Sequence, residues 1–302
     1  MLNNFFRLNS GANDIQSQSE LENIYNQNDT IINIIYYPNE LIGRSNINKL
    51  KITNKTFENV SFKDTLIKDV EFTNCHFIDC LFLGAKIEHC KFLECSFNGC
   101  NTYGINIENS YLNPIFFKSN FKFNHYTKSN IALQLFQELY NNAIHQDLVS
   151  FTKKAKYYQA VWEDKSLISK YFFKKPYAIN GIKFYPNYFI NQLYKYCFGY
   201  GLQLRNFLVS FIFIFIGCFS LNKIFWNQFD LHEKDFAIQY FSSKEYSNYA
   251  NLYYTTDVLT KAIDSQFQPC SNFGMLFYFI QGSIGIIYFS LLVTVLINKF
   301  VK

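Results

Sequence analysis

Residues 75–95, CHFIDCLFLGAKIEHCKFLEC, hold four cysteines and two histidines, and Cys100 follows just beyond. A metal site, a disulfide framework and a packed core could each use such residues, and spacing discriminates among them. Every fifth residue from position 42 reads Ile42, Ile47, Ile52, Phe57, Phe62, Ile67, Phe72, Phe77, Phe82, Ile87, Phe92, Phe97, Thr102, Ile107, Leu112 and Phe117. All but Thr102 are large and apolar. Two positions before each lies a second series of smaller residues, and Cys75, Cys80, Cys90, Cys95 and Cys100 all fall in it.

A period of five matches neither regular element. Every fifth residue of a helix advances about 140° around the axis, and every fifth residue of a strand lands on the opposite face. Each unit must therefore contain a bend that re-aims the chain inward, which predicts a solenoid of very short strands and corners. With both series inward, the cysteines fill the core, while His76 and His89 occupy other phases and point out. Thiol and imidazole then cannot share an ion. Cysteines on adjacent coils are expected about 4.8 Å apart, the spacing of neighbouring strands. Parallel side chains in a reducing compartment disfavour disulfides, and a free cysteine packs as a small hydrophobe.

Units such as ENVSF, TNCHF, EHCKF and LECSF, over residues 42–117, resemble those of the pentapeptide-repeat proteins. The resemblance implies a right-handed, four-sided (quadrilateral) β-helix with one repeat on each side. Many such proteins that protect DNA gyrase are thought to imitate DNA through a strongly negative surface. Here residues 42–117 carry eight basic and eight acidic side chains, a balance that argues against a DNA mimic and against a nucleic-acid-binding groove.

The whole chain of 302 residues is 49% hydrophobic and 20% aromatic, with 17% charged residues and a formal charge of +5. Residues 151–206 hold ten Lys or Arg against Glu163 and Asp164, so the remainder is slightly acidic. The opening MLNNFFRLNSGANDIQSQSE has no apolar run of signal-peptide length, which predicts folding in the cytosol with reduced thiols. His125, His145 and His232 lie far apart with no paired nucleophile, and no glycine-rich phosphate loop occurs, so neither an enzyme nor a cofactor is expected.

After the repeats, Ile131, Leu135 and Leu139, then Leu148, Phe151, Ala155, Tyr158 and Trp162, recur at helical intervals. They predict two amphipathic helices covering the end of the solenoid, with Ser129 and Asp147 as N-caps. Residues 207–221 and 273–297 are uncharged and reach or approach the length of a membrane span. Lys183, Lys195 and Arg205 precede the first, and Lys299 and Lys302 follow the second, which predicts cytoplasmic termini. Lysines interleaved with aromatic residues in KYFFKKPYAINGIKFYPNYF (170–189) suit the headgroup region of an anionic leaflet.

Between the apolar runs lies NLYYTTDVLTKAIDSQFQP (251–269), and GYGLQLR (199–205) precedes the first. This outline is similar to that of pentapeptide-repeat membrane proteins with a two-span, potassium-channel-like region, in which GYG-x-x-x-R precedes the first span. In those relatives the re-entrant segment carries a filter of the form T-T-x-G-Y-G-D. The equivalent positions here are Thr260, Lys261, Ala262, Ile263, Asp264, Ser265 and Gln266, with no glycine. Without glycines the loop cannot turn its carbonyls toward a dehydrated ion, and a ring of lysines repels cations. Potassium selectivity is therefore not expected. The segment could be a relic, line a pore of other selectivity, or bind something outside the cell.

The resulting expectation is a bacterial inner-membrane protein in four parts: a polar segment and cap (1–40), a β-helix (41–118), a helical connector (119–206) and a two-span hairpin (207–302). Thr260, Lys261, Asp264 and Gln266 are the candidate pore-loop positions, and Gln281, Gly282, Ser283 and Gly285 the candidate span contacts. Its expected partners are the lipid bilayer, further copies of the chain and a cytoplasmic protein on the β-helix. The expected function is a channel-like oligomer that conducts ions or depolarises the membrane without potassium selectivity, and a membrane-anchored docking scaffold is the alternative.

Overall fold

The computed structural model describes residues 12–121, 128–174, 177–229, 231–233, 247–263 and 267–300. The chain forms two compact units, Met1–Tyr188 and Phe189–Lys302.

The first unit begins with β1 (Asn13–Ile15) and α1 (Gln18–Gln27), followed by β2 (Thr30–Tyr36) and β3 (Glu40–Ile42). Short strands then succeed one another: β4 (Leu50–Thr53), β5 (Thr56–Ser61), β6 (Leu66–Lys68), β7 (Val70–Thr73), β8 (His76–Ile78), β9 (Lys86–Glu88), β10 (Lys91–Leu93), β11 (Ser96–Asn98) and β12 (Asn106–Glu108). They assemble into three parallel sheets, ordered β1-β2-β5-β8-β11, β10-β7-β4 and β12-β9-β6-β3. From β4 onward, partners are twenty residues apart, as in Phe57 beside Phe77, Phe72 beside Phe92, and Ile67 beside Ile87. Isolated bridges continue the same register from Ser61 to Leu81 to Asn101.

The bends required by a five-residue period are visible in the backbone. From Asn54 to Asn109 every fifth residue has positive φ, between 47° and 70°. Ten of these twelve corners are Asn, Asp or Gly, the residues that enter the left-handed region at least cost; only His89 and Glu94 are neither amide, aspartate nor glycine, and Asn109 closes the series. Two positions before each corner the large side chain turns inward. Phe57, Phe77, Phe97 and Phe117 form one stack with centroid separations of 5.2, 4.7 and 4.2 Å. Burying each such ring contributes about 1.5–3 kcal/mol.

The five clustered cysteines are buried and reduced. Each thiol donates to the carbonyl 23 residues earlier, as Cys80 does to Phe57 at 3.3 Å and Cys90 to Ile67 at 3.3 Å. Burial pushes the Cys90 thiol up to about 12. His76 stands on the exposed side and His89 is half-buried.

The expected inward positions of Ile42 and Ile47 need correction. Ile42 is half-buried and Ile47 is 93% exposed, whereas Leu41 is 1% exposed. Ile31 pairs with Phe57 and Leu41 with Ile67, each 26 positions on, six more than between the later strands. The inward set ahead of β4 is therefore Ile31, Tyr36 and Leu41. The chain leaves the sheet at Gly43, whose N–H donates to Lys68 O at 2.9 Å, and returns at Leu50, whose N–H donates to Asp69 O at 3.0 Å. A Cβ on Gly43 would lie 2.0 Å from Asp69 O, so no other residue fits this departure point without a shift.

Both ends of the stack are covered. At the first, α1 buries Leu21 and Tyr25, with Ser17 accepting from Glu20 N as its N-cap. At the other, Asn120 accepts from Cys100 N at 2.7 Å and donates to Cys100 O at 3.0 Å. α2 (Ser129–His145) buries Ile131, Leu135 and Leu139, and α3 (Val149–Ile168) buries Phe151, Ala155 and Trp162. Ser129 and Asp147 do not cap them. Lys128 and Leu148 occupy the cap positions without side-chain bonds; Ser129 is buried in the first turn, and Asp147 takes a left-handed conformation at φ 55°.

The chain boundary between units falls within α4 (Gly181–Phe198). The second unit continues through α5 (Leu204–Phe225), β13 (Leu231–Glu233), α6 (Asn248–Thr260), β14 (Phe267–Pro269) and α7 (Asn272–Phe300). Two helices, Leu204–Gln228 and Asn272–Ile297, are long and apolar enough to cross a membrane, with mean hydropathies of 2.0 and 2.1.

Candidate functional site

The site is built around α6, which lies against both long apolar helices. Ser247 caps it, accepting from Ala250 N at 3.0 Å. Its buried face carries Asn251, Tyr254, Thr255, Val258 and Leu259. Tyr254 and Val258 join Trp226, Phe229, Leu231 and Phe267 in one apolar cluster. The chain on either side is tied by antiparallel pairing of β13 with β14, Leu231 facing Pro269 and Glu233 facing Phe267.

Within this apolar setting, four polar side chains satisfy one another. Asn222 of α5 donates to Thr255 Oγ1 at 2.8 Å, and Thr255 donates to Asn251 Oδ1 at 3.0 Å. Asn251 donates to Phe219 O at 2.9 Å. Gln281 of α7 donates to Asn222 Oδ1 at 2.7 Å. All four are at most 4% exposed. Buried amides left unpaired would cost about 1–3 kcal/mol each, so the network holds α5, α6 and α7 to one mutual arrangement.

Two of the glycines singled out in the sequence face α6. A Cβ on Gly285 would lie 1.9 Å from Leu259 O, and one on Gly282 would lie 3.8 Å from Val258 O. The last turn of α6 thus approaches α7 to backbone contact at Gly285. Ser283 is half-buried. Gln281 belongs to the network, as a helix contact within this chain.

At the C-terminal end of α6, Thr260 donates to Thr256 O at 2.7 Å and accepts from Ala262 N at 3.1 Å. Lys261 ends the helix in a left-handed conformation at φ 52°, its N–H donating to Asp257 O at 2.8 Å. Its ammonium lies 3.5 Å from Asp257 Oδ1 and donates to the Tyr278 hydroxyl. It also lies 4.2 Å from the Tyr278 ring centroid. Lys261 is therefore bound to α6 and α7 while 46% of its side chain stays exposed. Asp264 and Gln266 lie outside the described residues. No three metal-ligating side chains come together among the described residues.

The GYG turn ahead of α5 is buried, with Gly199, Tyr200 and Gly201 all at positive φ. A Cβ on Gly199 would meet Gln203 Cβ at 2.6 Å, so glycine is required there by both backbone and space.

Sequence reasoning did not find Asn222, Asn251 and Thr255. Two signals were available: a single Asn interrupting an otherwise apolar run, and an Asn and a Thr four apart on one helix face. No protein-family model, curated protein or solved structure matches this chain.

Proposed function

We propose that the protein is a bacterial-type integral membrane protein with a cytoplasmic pentapeptide-repeat β-helix and a two-span, channel-like region that assembles as a homo-oligomer. In this reading the oligomer conducts ions or depolarises the membrane, without potassium selectivity. The observation that carries it is α6, a helix between two long apolar helices, joined to both through Asn222, Thr255, Asn251 and Gln281. Such a helix delivers its C-terminal end, Thr260 and Lys261, to the segment where a filter would begin.

Membrane insertion is supported by burial as well as hydropathy. The core helix of a soluble protein would be mostly buried, yet only 17% and 28% of the most apolar stretches of the two long helices are buried. Exposed apolar area of this extent calls for a non-aqueous neighbour. The excess of Lys and Arg before the first span and after the second favours cytoplasmic termini.

The test is single-channel recording of the purified protein in planar bilayers beside Lys261→Glu and Lys261→Gln. Discrete openings whose preference moves toward cations in Lys261→Glu support a pore containing residue 261. Silence from folded, inserted protein at several voltages and salts rejects it.

A second reading has its own observation. The Lys261 ammonium is engaged by Asp257 and Tyr278 within one chain, the arrangement of a packed extracytoplasmic helix. The hairpin is then an anchor, and the β-helix a docking surface for a protein partner. That reading expects Lys261→Glu to leave partner capture by the full-length protein unchanged.

A further inference from the structure

A cavity of about 550 Å3 opens beside the start of α5, within the range of small-molecule sites. Arg205, in the first turn of α5, contributes its one cationic side chain, and Val209, Phe213 and Ile214 line it further along the same helix. Tyr288 of α7 and Cys197 of α4 close it. Ser210, also in the lining, donates to Cys197 O at 2.8 Å and to Phe207 O at 2.9 Å, so its hydroxyl is spent on the protein. Asn206, next to Arg205, and Tyr196 complete the lining, which thus carries one cation and is otherwise mainly apolar.

Arg205 forms no ion pair among the described residues, and no Asp or Glu occurs anywhere between Asp164 and Asp230, a stretch with eight Lys or Arg. From Arg205 to Ile214 the helix rises about 14 Å, close to half the thickness of a bilayer's hydrocarbon core. A ligand that matches this lining carries an anionic group at one end and a hydrocarbon chain at the other.

We propose that this cavity is a binding site for one anionic phospholipid, its phosphate on the Arg205 guanidinium and one acyl chain along Val209, Phe213 and Ile214. The proposal rests on the reading of α5 and α7 as membrane spans. A guanidinium suits the phosphate because its planar donors pair with two oxygens at once.

The experiment exposes the purified full-length protein to vesicles of equal parts phosphatidylglycerol and phosphatidylcholine, then counts retained lipids by native mass spectrometry. The expected result is one phosphatidylglycerol per chain, favoured at least fivefold over phosphatidylcholine. Arg205→Gln should bring that preference close to one, Phe213→Ala should lower retention of both lipids, and Lys223→Gln, at the far end of α5, should change neither. Equal retention of the two lipids by the unmodified protein, or an unchanged preference in Arg205→Gln, overturns the proposal. Displacement by glycerol phosphate, which lacks chains, also overturns it, in favour of a soluble phosphate ligand. Retention of a second copy with no lipid overturns it in favour of a helix interface. Carbonate extraction separates its failure from that of the membrane reading: protein that stays in washed membranes without lipid preference defeats this site alone, whereas protein released by carbonate defeats both.

Discussion

Asn142 of α2 holds both backbone groups of Ser110, accepting from its N–H at 3.0 Å and donating to its carbonyl at 2.7 Å. The side-chain amide thereby does for Ser110 what residues twenty positions on do for Cys90, which is paired through its N–H to the Ser110 hydroxyl and through its carbonyl to Tyr111 N. Asn142→Leu removes both bonds; the Ser110 carbonyl keeps its bond from Gln146 Nε2 at 2.9 Å, and the buried Ser110 N–H is left unpaired. The expected loss is about 1–3 kcal/mol locally, read as faster amide exchange over Asn106–Leu112, with exchange near Phe57 unchanged. Equal acceleration throughout the stack would show that the amide does not act as a local end-cap.

The corner residues offer a test of opposite sign. Glu94 adopts φ 52°, is exposed, and makes no side-chain bond among the described residues that would compensate a left-handed backbone. That conformation costs an ordinary L-residue roughly 1–2 kcal/mol, and Asn tolerates it better. Glu94→Asn is expected to stabilise the first unit by about 0.5–1 kcal/mol, and Glu94→Val, β-branched, to destabilise it. Denaturant midpoints followed by exchange of the Phe92 amide check both. A neutral Glu94→Asn would mean that this corner relaxes in solution.

These two sites show why the repeats could be read directly from the sequence and other features could not. From Ile52 to Phe117 each five-residue unit repeats one local solution, so side-chain size alone marks the inward phase. Ile42 and Ile47 fit that series by coincidence: six extra residues between Leu41 and the next coil shift the phase, and Ile31, Tyr36 and Leu41 form an equally regular set one position away. Only pairing between strands decides between them. The network around Asn222 is likewise long-range, because Asn222 and Gln281 lie 59 positions apart and neither predicts the other.

Stability of the first unit should depend on pH through two glutamates acting in opposite directions. Burial, and secondarily the neighbouring Asp164, raises Glu163 above the ordinary carboxylate range. The folded state then holds that proton more tightly than the unfolded chain does. Its contribution is complete below the unfolded value near 4.5 and is lost as pH rises through the higher folded value. Glu163→Gln should therefore raise stability at neutral pH relative to the unmodified protein, with the gain shrinking toward pH 4. Glu88 is lowered, first by its hydrogen bond from Lys86. Its contribution exists above the unfolded value and disappears as pH falls through the lower folded one, so Glu88→Gln should lower stability at pH 7 and converge with the unmodified protein in acid. Denaturant midpoints from pH 3.5 to 8 check both signs, and parallel curves for a variant and the unmodified protein would refute the assignment.

The glycines of the second unit separate close packing from mere smallness. Gly285 meets the carbonyl of Leu259, and a Cβ there would lie 1.9 Å from that oxygen, with the Leu259 carbonyl carbon at 2.7 Å. These are backbone atoms that cannot rotate away, so Gly285→Ala must push the end of α6 off α7. That displacement pulls on Thr255 and on the Asn222–Gln281 pair, and carries Lys261 away from Tyr278. Gly282→Ala places its Cβ at an ordinary contact distance of 3.8 Å, and Gly217→Ala finds nothing within 4 Å. The expected order of thermal stability in detergent is Gly217→Ala and Gly282→Ala close to the unmodified protein, with Gly285→Ala lower by at least 2 kcal/mol, of the order seen for overpacking. If the proposed pore exists, Gly285→Ala should also abolish conductance while the other two preserve it. A fully stable Gly285→Ala variant would show that α6 does not approach α7 to backbone contact, and would remove the geometric basis for placing Thr260 and Lys261 at the entrance of a filter.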